Sequence, residues 1–168
     1  INKSADDAAG LAIAENLRGK IRGLNVARRN ASDAVSMLQT AEGSMTEITN
    51  ILVRMRELTM QSASDTVGDR ERGYLNREYT QLAEEMDRIA QTAEFSGNIF
   101  SGGERDEIVV QIGVTSEPES TLSFNLRNLR FDAESLGIGK GDEIGSDDGP
   151  VDRAQIAGKL DIVDNALD

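Results

Sequence analysis

Residues 24–55 read LNVARRNASDAVSMLQTAEGSMTEITNILVRM, and apolar side chains recur in this stretch every seven residues. One line of the repeat, which begins one heptad earlier, consists of Leu17, Leu24, Ala31, Leu38, Met45 and Leu52. The other line follows three residues later and consists of Ala27, Ala34, Ala41, Ile48 and Met55. Two apolar lines at this spacing are typical of the a and d positions of a helix that packs lengthwise on its neighbours. We therefore predict a long helical seam along these residues.

The helix that carries this seam is predicted over residues 1–63. No proline precedes Pro118, so the sequence contains no helix breaker of that kind in this region. At about 1.5 Å per residue, the periodic part over residues 7–63 would be roughly 85 Å long. A compact globule of 168 residues has no room for such a helix. The predicted form is an elongated rod.

Two further helices are predicted. A short polar loop over residues 64–68 leads into a second helix over residues 69–93, which the short connection makes antiparallel to the first. A third helix begins at Pro150, a favourable first-turn residue, and residues 150–168 form its start. The apolar positions that define these two helices are Leu75, Tyr79, Leu82, Met86, Ile89 and Ala93, and Ile156, Leu160, Val163 and Leu167.

Between these two helices the apolar period changes to two residues. Within residues 94–136, a loop leads to two alternating runs, at residues 108–114 and 122–126, with a turn at Pro118 between them. Such alternation predicts a β-hairpin. Residues 137–149 are glycine-rich and acidic and are predicted as a linker. The predicted fold class is mainly α with a small β-hairpin region, an elongated antiparallel helical bundle with a long first helix.

The composition excludes several classes of function. Lys and Arg number 18 and Asp and Glu number 30, so the net charge is −12, which disfavours nucleic acid and anionic lipid as partners. There is no Cys and no His, which removes thiolate chemistry, Cys-ligated zinc and the commonest general base. No apolar run approaches the roughly 20 residues that span a bilayer, so no membrane insertion is predicted. We predict that the chain is not an enzyme and has no catalytic, cofactor-binding or metal-binding residue.

Four stretches have some of the composition of a functional site, and each has a simpler structural interpretation. The glycine loop at 137–141 lacks the Ser or Thr and the spacing of a phosphate-binding loop. The acidic loop at 142–148 lacks the bidentate Glu of a calcium site. The basic cluster at 18–29 has no interleaved aromatic residues and is interpreted as an ion-pairing face. The carboxylates at 84–87 occupy neighbouring helix positions, which point in different directions.

Five blocks of sequence carry a resemblance to a known family. They are INKSADDAAGLAIA at residues 1–14, IRGLN at 21–25, RNASD at 29–33, QTAEG at 39–43 and MRELTMQSA at 55–63. In this order and with hardly a gap, they closely resemble the first core helix of bacterial flagellins. The resemblance is close over residues 1 to about 100 and looser over the hairpin and the final helix.

The resemblance implies the D1 core of a flagellin, with two N-terminal helices, a hairpin region and a C-terminal helix packed antiparallel along the first. It implies a structural subunit that self-assembles into the flagellar filament for motility, outside the cell, after export without a cleaved signal peptide. The implied partners are identical subunits, hook-associated and cap proteins, and an export chaperone. We expect a short form without large outer domains, in which the terminal helices that line the filament channel are absent.

Three alternatives stay open on the sequence alone. The hook–filament junction protein, a relative of flagellin, would suit the Phe100-Ser101-Gly102 stretch, but it usually has Pro after the paired Asp, where this chain has Ala8. An unrelated coiled-coil adaptor would explain the heptads but not the five blocks. A carboxylate-dependent hydrolase is the enzyme alternative.

The resemblance also implies a site for an animal receptor. Flagellins are recognised by Toll-like receptor 5 through an Arg and a Leu on the first core helix and a Glu on the second. The block LVRMREL at residues 52–58 matches the first part and places these residues at Arg54 and Leu58. Counting on without a gap places the Glu at Glu78. The same face is expected to contact the next subunit, so these residues are predicted as a receptor or subunit interface.

Overall fold

The computed structural model describes residues 8–100, 106–126, 130–138, 143–145 and 153–167. Its elements in chain order are α1 (Ala8–Ser62), α2 (Asp69–Thr92), β1 (Glu94–Phe95), β2 (Asn98–Ile99), β3 (Glu107–Gln111), a short 3-10 helix (Pro118–Ser120), β4 (Thr121–Asn125) and α3 (Arg153–Leu167). The prediction of a mainly α chain with a long first helix and a small antiparallel hairpin is confirmed. The elongated form stays a prediction.

Some predicted features fall on residues that the structure does not describe. They include the first seven residues of the predicted first helix and the start of the third helix at Pro150. Most of the predicted linker at 137–149 also lies outside the described residues, including Lys140 of the glycine loop. Of the acidic loop, only Glu143 is described among its carboxylates.

The composition of α1 explains its length. The helix is continuous over 55 residues because it contains no proline and is rich in residues with high helix propensity, such as Ala, Leu, Met and Arg. Its Ser and Thr hydroxyls donate to the carbonyl one turn earlier, as Thr46 does to Glu42 at 2.8 Å and Thr49 does to Met45 at 2.9 Å. These side chains are therefore accommodated within the helix instead of ending it.

The described chain divides into two compact units. The first unit consists of residues 1–39 and 107–125, which hold the N-terminal part of α1 and the β3–β4 hairpin. The second unit consists of residues 40–106 and 126–168, which hold the rest of α1, α2, the β1–β2 hairpin and α3.

In the first unit, β3 and β4 pair antiparallel over five residues, from Glu107 opposite Asn125 to Gln111 opposite Thr121. The alternation predicted at residues 108–114 is therefore only partly strand, because β3 ends at Gln111 and its last two predicted apolar positions lie in the turn that follows. A close approach fixes this turn, since a Cβ on Gly113 would lie 2.9 Å from the Ser120 Cα.

The turn of this hairpin packs on α1. The Asn30 side chain donates from Nδ2 to the carbonyl of Gln111 at 2.9 Å. About two helical turns earlier, Gly23 lies under Val114, so closely that a Cβ at Gly23 would be 2.7 Å from the Val114 Cγ1. The absence of a side chain at Gly23 therefore lets the turn lie against the helix.

The second unit holds most of the core. Its large buried side chains come from all three helices and from the segments that connect them. They are Ile48, Leu52, Met55 and Leu58 of α1, Tyr79, Met86 and Ile89 of α2, Ile156 and Val163 of α3, and Phe100, Leu126, Phe131, Ile138 and Ile144. Aliphatic and Met side chains fill most of this core, as the low aromatic content predicts.

Polar side chains of the helices fasten the irregular segments to this core. Asp87 accepts a hydrogen bond from the Ala133 backbone N–H at 2.8 Å, and the Asn76 Oδ1 accepts one from the Ile144 N–H at 2.9 Å. The buried Ser62 hydroxyl donates to the carbonyl of Ile144. Each bond satisfies a backbone group that the regular elements leave without a ladder partner.

Candidate functional site

The two predicted apolar lines of α1 have different environments. The line of Ala27, Ala34, Ala41, Ile48 and Met55 is buried, with each residue at most 6% exposed. Most of the other line is exposed: Leu17, Leu24, Leu38 and Met45 are 53%, 55%, 42% and 43% exposed, and Ala31 is half-buried. Only Leu52 of that line is buried. The prediction that both lines are buried within the chain is therefore wrong for four of these residues.

Helix geometry explains the error. At about 100° per residue, the positions three and four residues after a buried residue lie on opposite flanks of it. The sequence is apolar on both flanks, for example at Met37 and Leu38, so a seven-residue period cannot choose between them. The folded chain buries Met37, which is 5% exposed, and leaves Leu38 on the surface. A line of large apolar side chains, Leu17, Leu24, Leu38 and Met45, therefore faces outward; we call it the exposed apolar line.

The structure brings Arg54 and Glu78 together. The guanidinium of Arg54 contacts the Glu78 Oε1 through Nε at 2.8 Å and through Nη2 at 2.7 Å, and it contacts the Glu57 Oε2 through Nη1 at 2.9 Å. The hydrogen bonds to Glu57 and Glu78 raise the pKa of Arg54 above its ordinary value. The Arg54–Glu78 ion pair joins α1 to α2. The two residues lie at similar distances along the chain from the loop between the helices, as antiparallel packing requires. Both side chains are about half exposed.

Leu58 does not lie on this surface. Its side chain is completely buried, because it occupies the core-facing side of α1 next to the buried Met55 and Thr59. The predicted receptor or subunit interface of Arg54, Leu58 and Glu78 is therefore corrected for Leu58: the accessible part of this site consists of Arg54, Glu57 and Glu78.

An exposed aromatic residue lies on the same face of α2. Tyr74 is 51% exposed and lies one turn before Glu78. The Arg70 Nε donates to the Tyr74 hydroxyl at 3.0 Å, and its guanidinium carbon is 5.8 Å from the ring centroid. The guanidinium carbon of Arg77 is 5.6 Å from the same centroid. Apolar periodicity does not indicate this cluster, but the sequence places an Arg four residues before and three residues after an exposed aromatic residue, a spacing that brings side chains together on a helix.

A shallow cavity of about 450 Å³ lies between α1 and the hairpin turn of the first unit. Small and apolar residues make most of its wall, including Gly19, Gly23 and Val114. Lys20 is the one ionisable side chain among these lining residues, so the cavity has no pair of ionisable groups for acid–base chemistry.

Two of the three carboxylates at residues 84–87, which are predicted to be non-catalytic, have structural contacts. Glu85 forms an ion pair with Arg88 at 2.5 Å, and this hydrogen bond lowers the pKa of Glu85. Asp87 holds the Ala133 N–H, and Glu84 is exposed. Among the residues that the structure describes, no group of three or more His, Cys, Asp or Glu side chains could hold a metal ion. None of the described helices is long and apolar enough to cross a membrane.

Comparison with known families gives a match over more than half of the chain. The sequence pattern of the bacterial flagellin N-terminal helical region matches residues 1–104. A flagellin of Halalkalibacterium halodurans is 45% identical over 116 residues, which are 69% of this chain and 43% of that protein. Flagellin E of Vibrio cholerae is 44% identical over 137 residues, which are 82% of this chain and 36% of that protein. The chain thus spans less than half the length of these relatives.

The fold is also similar to that of a solved structure. The crystal structure of Bacillus cereus flagellin superposes with a TM-score of 0.65 at 30% sequence identity, and the match covers 83% of this chain and 74% of that one. The similarity therefore extends beyond the N-terminal helices that carry the sequence resemblance.

Proposed function

Since this chain belongs to the bacterial flagellin family, we propose that it forms the core of a structural subunit of the flagellar filament. In this function the subunit packs on identical copies outside the cell, and the resulting filament serves motility. Hook-associated and cap proteins and an export chaperone are further partners that the resemblance implies, and they stay predictions.

The exposed apolar line of α1 is the observation that carries this proposal. A helix that packs lengthwise on a neighbour needs apolar residues at this seven-residue spacing. The described chain leaves these side chains in water, where they lose the stabilisation that burial would give. Packing of this line in the assembled filament supplies that burial.

The geometry of such packing also accounts for a filament. A contact in which one face of a subunit meets a different face of the next does not close on itself and generates a helical fibre. The described chain presents two different faces of this kind, the exposed apolar line on α1 and the charged surface of Arg54, Glu57 and Glu78. Self-assembly therefore follows from head-to-tail contacts between unlike faces.

Electron microscopy of the protein at its natural full length, after salt-induced assembly, tests the proposal. Wild-type protein is expected to form filaments, and Leu38→Asp is expected to form few or none, because it puts a charge into the apolar contact. Gln39→Asp is the matched control, since it adds the same charge at the next, exposed polar position. Absence of filaments from the wild type would overturn the proposal.

A second proposal concerns recognition by Toll-like receptor 5. It is supported by the position of Arg54 and Glu78, which the resemblance assigns to the receptor site and which lie in contact across two helices. Arg is enriched at the centre of interfaces. A carboxylate that already holds the Arg side chain in place reduces the side-chain entropy that is lost on binding. Leu58 contributes indirectly, by packing beneath this surface.

Binding of the purified protein to the receptor ectodomain tests this second proposal. Arg54→Ala and Glu78→Ala are each expected to weaken binding by about tenfold or more. Arg88→Ala is the matched control, because Arg88 is also an exposed, carboxylate-paired Arg but lies about three helical turns beyond Glu78 on α2. Equal affinity of all four proteins would show that the receptor does not use the Arg54–Glu78 surface.

A further inference from the structure

Residues 143–145 lie against the loop end of the second unit in the way that a bound peptide lies in a pocket. Glu143 is exposed, whereas Ile144 and Gly145 are buried, and the side chain of Ile144 is completely inaccessible to solvent. The groups that contact them belong to the end of α1 and to the start of α2, within the same unit. We call this place the Ile144 pocket; Ser62, Asn76 and the backbone of Arg72 form it.

Side chains of the two helices bind both backbone polar groups of Ile144. Its N–H donates to the Asn76 Oδ1 at 2.9 Å, and its carbonyl accepts a hydrogen bond from the Ser62 hydroxyl. Ser62 is itself completely buried, so this hydrogen bond is sheltered from water and is costly to leave unmade. Hydrogen bonds to the main chain together with a pocket for one side chain are the means by which proteins recognise extended peptides.

The Ile144 pocket also selects the residue that follows. A Cβ added at Gly145 would overlap the carbonyl group of Arg72, at 2.6 Å from its carbon, and would lie 3.1 Å from the Arg72 Cβ. The atoms in the way belong to the backbone of α2, which cannot turn aside as the end of a flexible side chain can. The pocket therefore accepts an aliphatic residue only when Gly comes next.

We propose that the Ile144 pocket is a binding site for an extended peptide with an aliphatic residue followed by Gly, and that residues 143–145 are its tethered ligand. Ser62 and Asn76 are 82 and 68 residues away from Ile144 along the chain, so these contacts form late, after the helices have packed. Arg54 and Glu78 join α1 to α2 without this segment. The segment can therefore leave the pocket while the helices stay folded. The inference concerns the monomer and does not depend on the filament function.

Hydrogen exchange of the wild-type monomer tests whether the segment leaves on its own. The Ile144 amide is expected to exchange at least about tenfold faster than the amides of Met86 and Ile89, which lie in the core of α2. Its rate is expected to depend little on urea, because detachment of three residues exposes little surface. NMR resolves the individual amides. The same rate and urea dependence at Ile144 as at the core amides would overturn the proposal, since the segment would then open only with the whole core.

A peptide in solution tests the specificity of the pocket. Ile144→Ser is expected to empty the pocket, and acetyl-Glu-Ile-Gly-amide is expected to bind this variant with an affinity on the order of millimolar. Saturable shifts of the Asn76 side-chain amide in NMR spectra measure the binding. Should this variant not fold, Gly145→Ala displaces the segment by the overlap with Arg72 and serves as the second variant.

The matched peptide carries Ala in place of Gly and is expected to bind at least about tenfold more weakly. Wild-type protein is expected to show no shifts, because its own segment fills the pocket. Equal affinity for the two peptides, no saturable binding of the Gly peptide by the variants, or equal shifts in the wild type would each overturn the proposal.

Two buried hydroxyls of α1 supply a matched pair of substitutions. Ser62→Ala is expected to speed exchange of the Ile144 amide by about tenfold, the scale of one hydrogen bond, because it removes the donor to the Ile144 carbonyl. Thr59→Val is the control, since Thr59 is equally buried but donates to the Met55 carbonyl within α1. It is expected to leave exchange at Ile144 unchanged. An equal increase in both variants would show that overall stability, and not the pocket, governs this amide, and would overturn the proposal.

Discussion

Three glycines within α1 show how the surroundings of a single residue set its effect on stability. In a helix interior, Gly is less favourable than Ala by about 1 kcal/mol. A Cβ added at Gly19 or Gly43 would meet no atom within 4 Å, whereas a Cβ added at Gly23 would lie 2.7 Å from the Val114 Cγ1. Only Gly23 is therefore needed for packing, and the other two reduce helix stability without a compensating contact in the described chain.

This difference predicts the sign and order of three substitutions. Gly19→Ala and Gly43→Ala are expected to raise the free energy of unfolding by about 0.5–1 kcal/mol each, because they reduce the entropy of the unfolded chain. Gly23→Ala is expected to raise the free energy of unfolding by less, because Val114 and the turn that carries it must move away to make room for the added Cβ. Urea denaturation followed by circular dichroism measures all three. Equal gains at Gly19 and Gly23 would show that the hairpin turn does not rest on Gly23.

The helical elements show what the sequence could and could not predict. The extent of α1, the buried line that includes Ala34 and Ile48, and the hairpin after α2 follow from apolar periodicity, which reports secondary structure directly. The flank of α1 that the chain buries could not be predicted, because both flanks are apolar and the choice depends on which segments fold back onto the helix. The contact of Arg54 with Glu78 agrees with the resemblance, whereas the burial of Leu58 depends on the orientation of α1 in the core.

Because the chain buries one flank of α1 and exposes the other, the same substitution at two adjacent residues is expected to have very different effects on stability. Met37→Asp is expected to destabilise the monomer by several kcal/mol, because it buries a charge without a partner. Leu38→Asp is expected to change the free energy of unfolding by no more than about 0.5 kcal/mol, as exposed positions do. Thermal and urea denaturation of the two variants provide the measurement. If the Leu38→Asp protein were as unstable as the Met37→Asp protein, Leu38 would have to be buried, which contradicts the orientation of α1 in the structure.

At the scale of the whole molecule, the chain belongs to a family of structural proteins, which confirms the prediction that it is not an enzyme. Its described residues include no group that could hold a metal ion, and they present apolar and charged surfaces that suit packing. The buried apolar residues are unevenly distributed. The first unit contributes Ala27, Ala34 and Met37, whereas the second unit contributes all the other buried apolar residues of the described chain.

This distribution predicts that the two units differ in local stability. Opening of a region costs little free energy where few apolar contacts are lost, and it approaches the cost of global unfolding where a core must separate. In the isolated monomer, amides of α1 at residues 10–36 are therefore expected to exchange with solvent at least about tenfold faster than amides at residues 48–60, although both belong to one helix. Native-state hydrogen exchange with mass spectrometry resolves the two segments. If assembly buries the exposed apolar line as proposed, the difference in exchange rate between the two segments should narrow in the filament. Equal protection of both segments in the monomer would show that the stability of α1 does not depend on the core of the second unit.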